Sequence, residues 1–284
     1  MDALRQVDGW DVENVAVAVL GPDGELGSLG DRTRVYRLAS VTKLMTALAC
    51  LVAAEEGVID LDEPAGPPGS TIRHLLAHAS GLPFELDGPP IARPGTRRIY
   101  SNAGFELLAQ VTAEHAEMPF GDYLREAVFV PLGLAAELRG SPAADVHASL
   151  EDLVRFAREL LAPALVSDET FAEATSVQFS GLAGVLPGIG RYDPLDWGLG
   201  FELKDAKTPH WSGTRTSART FGHFGGAGTF LWVDPEARIA CACLTDREFD
   251  DWALEAWPRL SDAVLAEATR HGEGAGGLDR PTRA

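Results

Sequence analysis

The chain has little lysine, little asparagine, little cysteine and no long apolar run, and each scarcity excludes something. Only three of its 24 basic residues are lysines: Lys43, Lys204 and Lys207. Set against 42 acidic residues they leave a formal net charge of −18, so neither nucleic-acid phosphates nor anionic lipid headgroups would be drawn to this surface. The cysteines, Cys50, Cys241 and Cys243, are too few for a disulfide framework. Cys241 and Cys243 alternate with Ala242 in an apolar strand pattern, as buried reduced thiols do. The longest mainly apolar stretch, residues 44–54, is too short for a membrane span. Residues 1–8 contain neither a basic n-region nor an apolar h-region, so a cytoplasmic location is the expectation, unless a leader once preceded them. A Gly-x-Ser-x-Gly elbow and a phosphate-cradling Gly-x-x-x-x-Gly-Lys are both missing, which argues against an α/β-hydrolase and a P-loop enzyme. At 284 residues the chain suits one large domain or two intimate lobes.

What is present begins with one of the three lysines. Lys43 stands three residues after Ser40, in Tyr36-Arg37-Leu38-Ala39-Ser40-Val41-Thr42-Lys43-Leu44-Met45. Apolar residues recur at helical spacing after Ser40, so Ser40 is expected to open a buried helix that runs to residue 56 and ends at Gly57. Positions i and i+3 share a helical face, which brings the Lys43 amine within reach of the Ser40 hydroxyl. A desolvated lysine can release its proton and an arginine cannot, so the pair is the minimum equipment for acyl transfer. Taken alone, Ser40 could equally cap a helix and Lys43 extend into solvent. With 13 serines and three lysines, chance would produce a Ser-x-x-Lys roughly one time in seven. Tyr100-Ser101-Asn102 is a second motif, built on one of only two asparagines, and Phe221-Gly222-His223-Phe224-Gly225-Gly226 is a third.

In this order and spacing, Ser-x-x-Lys, Tyr-x-Asn and a Lys/His-x-Gly strand resemble the serine β-lactamase and penicillin-binding-protein superfamily. The Tyr-Ser-Asn form is similar to the branch of class C β-lactamases, D-alanyl-D-alanine carboxypeptidases and family VIII carboxylesterases. Leu75-Leu76-Ala77-His78-Ala79-Ser80-Gly81-Leu82-Pro83, Pro94-Gly95-Thr96 and Gly198-Leu199-Gly200-Phe201 resemble that branch too, so the likeness runs from about residue 15 to 247. The resemblance implies a serine hydrolase with Ser40 as nucleophile, Lys43 and Tyr100 sharing the base work, and Asn102, His223 and Gly225 supporting the substrate. The backbone N–H groups of Ser40 and Gly226 would form the oxyanion hole. Which of Lys43 and Tyr100 takes the proton is open at this level, because the two titrate together. His223 departs from the lysine that many β-lactamases and carboxypeptidases use to hold a substrate carboxylate, and histidine is mostly neutral at pH 7. Carboxylic esters or small amides are therefore the expected substrates. The alternatives are a β-lactamase or D-amino-acid peptidase, and a catalytically silent binding protein of the same fold.

His74 and His78 are spaced i, i+4, but the Glu of a His-Glu-x-x-His zinc site is missing and no third ligand is evident. No metal or cofactor is expected. The expected partner is a small ester, amide or lactam, without nucleic acid or membrane, and no motif speaks to the oligomeric state.

Strand patterns at 15–20 and 25–29 flank the turn Gly21-Pro22-Asp23-Gly24, and further strands are expected at 197–203, 221–222, 227–233 and 239–245. Helices are expected at 71–78, 101–116, 119–128 and 252–268, and after Ser149, which reads as an N-cap followed by acidic residues. Four prolines make residues 83–99 irregular and suited to a pocket rim. Strands at both ends and helices between them predict an α+β fold of the β-lactamase type, an antiparallel sheet flanked by helices with an inserted, mainly helical lobe. The lobes would be residues 1–57 plus 190–270, and residues 58–189. Residues 271–284, rich in glycine and charge, read as a disordered tail.

Overall fold

The computed structural model describes residues 1–85 and 88–275; of the tail expected at 271–284, residues 271–275 continue the last helix instead, and the rest lies outside the described residues. Its centre is a six-stranded sheet built of β1 (Val15–Gly21), β2 (Gly24–Leu29), β3 (Glu202–Leu203), β4 (Phe221–Gly225), β5 (Thr229–Asp234) and β6 (Ile239–Thr245). The order is β2-β1-β6-β5-β4-β3 and every neighbouring pair is antiparallel. β1 meets β6 from Val15↔Thr245 to Leu20↔Ala240, so the two ends of the chain pair in mid-sheet. The principal helices are α1 (Thr42–Glu55), α2 (Ile72–Leu76), α3 (Asn102–Ala116), α4 (Leu150–Leu161) and α5 (Asp251–Ala275).

Both faces of the sheet are covered, which is why β1 and β6 read as unbroken apolar runs. Ala16, Ala18, Leu20, Ala240, Ala242 and Leu244 face α4, whose Leu153, Phe156 and Leu160 complete that core. Val17, Val19, Cys241, Cys243 and Trp232 face α5 through Trp257, Leu260 and Val264, with Leu4 and Val7 of the opening turn Asp2–Gly9 beside them. Ser149 caps α4 as expected. Its hydroxyl accepts from the Asp152 N–H (3.2 Å) and the Asp152 carboxylate accepts from the Ser149 N–H (2.9 Å), a reciprocal capping box. Residues 42–53 of α1 are buried on every side, between α3, the helical run 120–132 and the sheet, as a helix apolar all round must be.

Several elements differ from the sequence patterns. Val35–Arg37 pairs with Val146–Ser149, which also pairs with Glu137–Leu138, and Arg98–Ile99 pairs in parallel with Gly184–Leu186. Strands this short carry too little periodicity to be read in advance. The stretch 197–203 is a strand only at Glu202–Leu203. Upstream, the Leu199 N–H donates to Ala174 O (2.8 Å) and the Gly200 N–H to Leu76 O (3.0 Å), so this backbone ties helices down instead of joining a ladder. Gly200 has φ +86°, and a Cβ there would come 2.1 Å from the Cβ of Ala47 in α1. The helix expected at 71–78 stops at Leu76, with His78 at φ +53°. The strand expected at 221–222 continues through His223 to Gly225. Among the described residues no helix is long and apolar enough to cross a membrane.

Candidate active site

Ser40 sits one step before α1, in the single 3-10 turn Ala39–Val41 that joins strand Val35–Arg37 to the helix. Ala39 is held at φ +46°, a costly conformation for a residue with a Cβ. The turn is clamped from the sheet side. Thr229 Oγ1 donates to Leu38 O (2.7 Å), and a Cβ on Gly225 would lie 2.3 Å from Leu38 O and 3.0 Å from the Ala39 Cβ. Only glycine lets β4 come this close to the serine turn. Gly226 opens the exposed turn after β4, and its carbonyl accepts from the Phe249 N–H (2.9 Å).

Lys43, one turn along, is fully buried. Its Nζ donates to Asn102 Oδ1 (2.7 Å) and Ala143 O (2.9 Å) and lies 3.4 Å from Ser40 Oγ, with the Tyr100 ring centre 4.7 Å away. Burial lowers this amine to about 7, and the negative charges of Glu85 and Glu106 keep it from falling further.

Tyr100 precedes Ser101, the N-cap of α3, whose hydroxyl accepts from the Gly104 N–H (2.9 Å) and donates to Pro83 O (2.6 Å). Its ring packs among those of His78 (4.6 Å), His223 (5.7 Å), Trp197 (5.8 Å) and Phe84 (6.0 Å). Burial pushes its phenol well above the ordinary tyrosine value, while a hydrogen bond with Ser40 acts in the opposite direction. Tyr100 therefore keeps its proton at neutral pH.

His223 Nδ1 lies 2.6 Å from Phe224 O and Nε2 lies 3.4 Å from the Tyr100 hydroxyl. The carbonyl partner assigns the proton to Nδ1 and leaves Nε2 to accept from Tyr100. Burial, then the neighbouring Lys43 charge, lowers this imidazole to about 3, so it is neutral. Ser40, Lys43, Tyr100, Asn102 and His223 thus form one connected cluster, with Gly225 at the back of the serine turn.

His74 and His78 do not share a helical face. His74 Nδ1 pairs with Thr71 Oγ1 (2.9 Å) at the start of α2, and His78 Nδ1 accepts from the Ser101 N–H (3.2 Å). Among the described residues no three His, Cys, Asp or Glu side chains gather as a metal would need. Three contributors were not singled out from sequence: Glu85, whose Oε1 accepts from Asn102 Nδ2 (3.0 Å), the Ala143 carbonyl under Lys43, and Trp197 against Tyr100. Glu85 lies in the irregular stretch expected at a pocket rim, which was its only signal. A carbonyl oxygen leaves no mark in a sequence.

The beta-lactamase family profile matches residues 7–137 and 135–265, nearly the whole of the described chain. The chain belongs to the beta-lactamase family. Among solved structures, a beta-lactamase from Mycobacterium bovis is 54% identical, with a TM-score of 0.92 over 94% of this chain and 99% of that one. The α+β, β-lactamase-like fold expected from the motifs is the fold of this family. Among curated proteins, the esterase EstB of Burkholderia gladioli is 25% identical over 86% of this chain and 85% of its own length. Penicillin-binding protein 4* of Bacillus subtilis is 30% identical over 35% of this chain. The chain spans about a third of the length of the first curated relatives that it matches.

Proposed function

We propose that this beta-lactamase family member is a serine hydrolase working through an acyl-enzyme on Ser40, with carboxylic esters or small amides as substrates. The observation that carries the proposal is the placement of Lys43: a fully buried amine 3.4 Å from Ser40 Oγ and 2.7 Å from Asn102 Oδ1, which burial lowers to about 7, beside a tyrosine that keeps its proton. Near neutral pH much of Lys43 is free base. As Ser40 Oγ attacks the acyl carbonyl, Lys43 Nζ takes the serine proton, and the charge that forms on the carbonyl oxygen is met by the Ser40 and Gly226 N–H groups. When the intermediate collapses, the bond to the leaving group breaks. Tyr100 gives that group its proton and is reprotonated from Lys43. Water then attacks the Ser40 ester with Lys43 again as base, the acid departs, and the proton returns to Ser40 Oγ. Asn102 Oδ1 holds the amine in place throughout.

Incubation with a fluorophosphonate should leave an adduct on Ser40, read by mass spectrometry, and short-chain p-nitrophenyl esters should be cleaved. Turnover surviving in Ser40→Ala would refute the proposal. Opening of β-lactams is the second reading, favoured by the 54% identity to a protein described as a beta-lactamase. Against it, neutral His223 offers no charge to a lactam carboxylate. Nitrocefin turned over faster than any ester would put the lactam reading first.

A further inference from the structure

We infer that Glu85 makes this site select acyl donors that carry positive charge or none, and disfavour those that carry a carboxylate. The inference rests on the hydrolase reading above and names its substrate class. Glu85 is exposed on the rim, yet its Oε1 accepts from Asn102 Nδ2 (3.0 Å), and Asn102 Oδ1 accepts from Lys43 Nζ (2.7 Å). The carboxylate is therefore two hydrogen bonds from the amine that adjoins the nucleophile. It also occupies the one amide N–H₂ group in the cluster, so an acyl donor that reaches Asn102 must either displace it or pair with it. An ammonium or N–H donor can pair. A carboxylate cannot.

The charges that bear on Lys43 do not offset Glu85. Glu106, which accepts from the Ser141 hydroxyl, is a second carboxylate acting on Lys43. His223 and His78 are both buried and neutral. Arg98 acts on His78 and hydrogen-bonds the carbonyls of Leu195, Ala77 and Gln178, and it is not among the charges that bear on Lys43. When Lys43 is the free base that attack on a substrate needs, the charges that bear on it are the carboxylates of Glu85 and Glu106. At physiological ionic strength a rim charge is largely screened beyond about 8 Å, so the preference acts on substrate charge that lies within that distance of Glu85.

The test uses three p-nitrophenyl esters of equal chain length: hexanoate, the adipate monoester, and 5-(trimethylammonio)pentanoate. In the wild-type protein kcat/KM should be higher for the cationic than for the anionic ester, and 1 M NaCl should compress the ratio. Glu85→Gln keeps the shape and should move the cationic-to-anionic ratio toward unity by roughly two- to thirtyfold, because one ester is attracted and the other repelled, each by the amount of one exposed charge pair. Glu85→Lys should invert it. Because a ratio is read, any change in Lys43 cancels. Esters that turn over with a ratio indifferent to salt and to both substitutions would overturn the selectivity and leave the hydrolase standing. If no ester turns over and Ser40 takes no label, the hydrolase reading fails and this inference with it.

Discussion

At the scale of the residue, burial is what separates Lys43 from an ordinary surface amine. A lysine in water holds its proton until pH 10, whereas this one is lowered to about 7 and can act as a base where cells live. Arginine has no accessible neutral form, and its fork is too wide for a site already bounded by Asn102, Ala143 and two aromatic rings. Lys43→Arg should therefore be as damaging as Lys43→Ala, with kcat/KM down by a factor of ~10²–10⁴. The pH–rate profile of the wild-type protein on a neutral ester should show an acidic limb. Activity should fall about tenfold per unit below a pH near 7, as Lys43 takes up a proton, and level off above it. A profile flat from pH 5 to 9, or an active Lys43→Arg, would remove Lys43 from the role of base.

At the scale of the element, the serine turn is held in register by a strand far along the chain. β4 reaches the turn through Gly225 and is itself braced at the sheet edge, where Gly222 pairs with Glu202 of β3. Glu202 is buried with Lys207 (2.6 Å), His210 (2.9 Å) and the Trp211 N–H (3.0 Å) around its carboxylate. Burial alone would raise that carboxyl, but Lys207 and His210 outweigh it and hold it at about 2, so the edge strand is anchored by a charged knot. Lys204 and Lys207 are thus both internal, as Lys43 is. Gly225→Ala tests the contact between strand and turn. Its Cβ would lie 2.3 Å from Leu38 O and 2.5 Å from Thr229 Oγ1, so β4 must shift away from Ser40. The expected result is a loss of about 1–3 kcal/mol in stability, typical of overpacking. A fall in kcat/KM of roughly 10²-fold should accompany it, since a displacement of an ångström at the reacting atoms costs that much. Unchanged kinetics in a folded Gly225→Ala would mean that β4 does not position the nucleophile.

At the scale of the whole molecule, the cluster is assembled from three distant parts of the chain. Ser40 and Lys43 come from the N-terminal side, Glu85, Tyr100 and Asn102 from the middle, and His223 and Gly225 from β4, in the C-terminal part of the sheet that β1 belongs to. The site is complete only when the entire sheet has closed, and its buried amine weighs on the stability of the whole. Lys43 titrates near 7 when folded and near its ordinary 10.5 when unfolded. Between those values the unfolded chain holds a proton that the folded chain has released. Stability from this group therefore rises with pH from about 7 to 10.5, by up to ~1.4 kcal/mol per unit, and is lowest below 7 where both states are protonated. Lys43→Met removes the titration and leaves Asn102 Oδ1 and Ala143 O a constant, pH-independent loss. Denaturant melts at pH 6, 7, 8 and 9 should show the wild type gaining on Lys43→Met above pH 7 and not below it. Parallel curves across that range would mean that the amine keeps its proton when buried.

Much of the fold was readable from local pattern. The hairpin of β1 and β2, the strand β6, the cap at Ser149 and the α+β class follow from periodicities of two and 3.6 residues and from capping chemistry, which act over a few positions. The motif residues that gather around Ser40 were readable because three short motifs, in that order and spacing, resemble those of a known superfamily; helical spacing alone marked only Ser40 and Lys43. The two-residue strands, the parallel pair at Arg98–Ile99, and the glycine passage through residues 198–200 were not, because distant backbone partners decide them. The same holds for Glu85 and the Ala143 carbonyl, which reach Asn102 and Lys43 only after folding. The proton is the clearest case. Free lysine and tyrosine titrate within a unit of each other, so the chain by itself leaves the choice between Lys43 and Tyr100 open. Burial penalises whichever form is charged, and it drives the amine down and the phenol up. The tertiary structure separates the two groups because it alone removes the water.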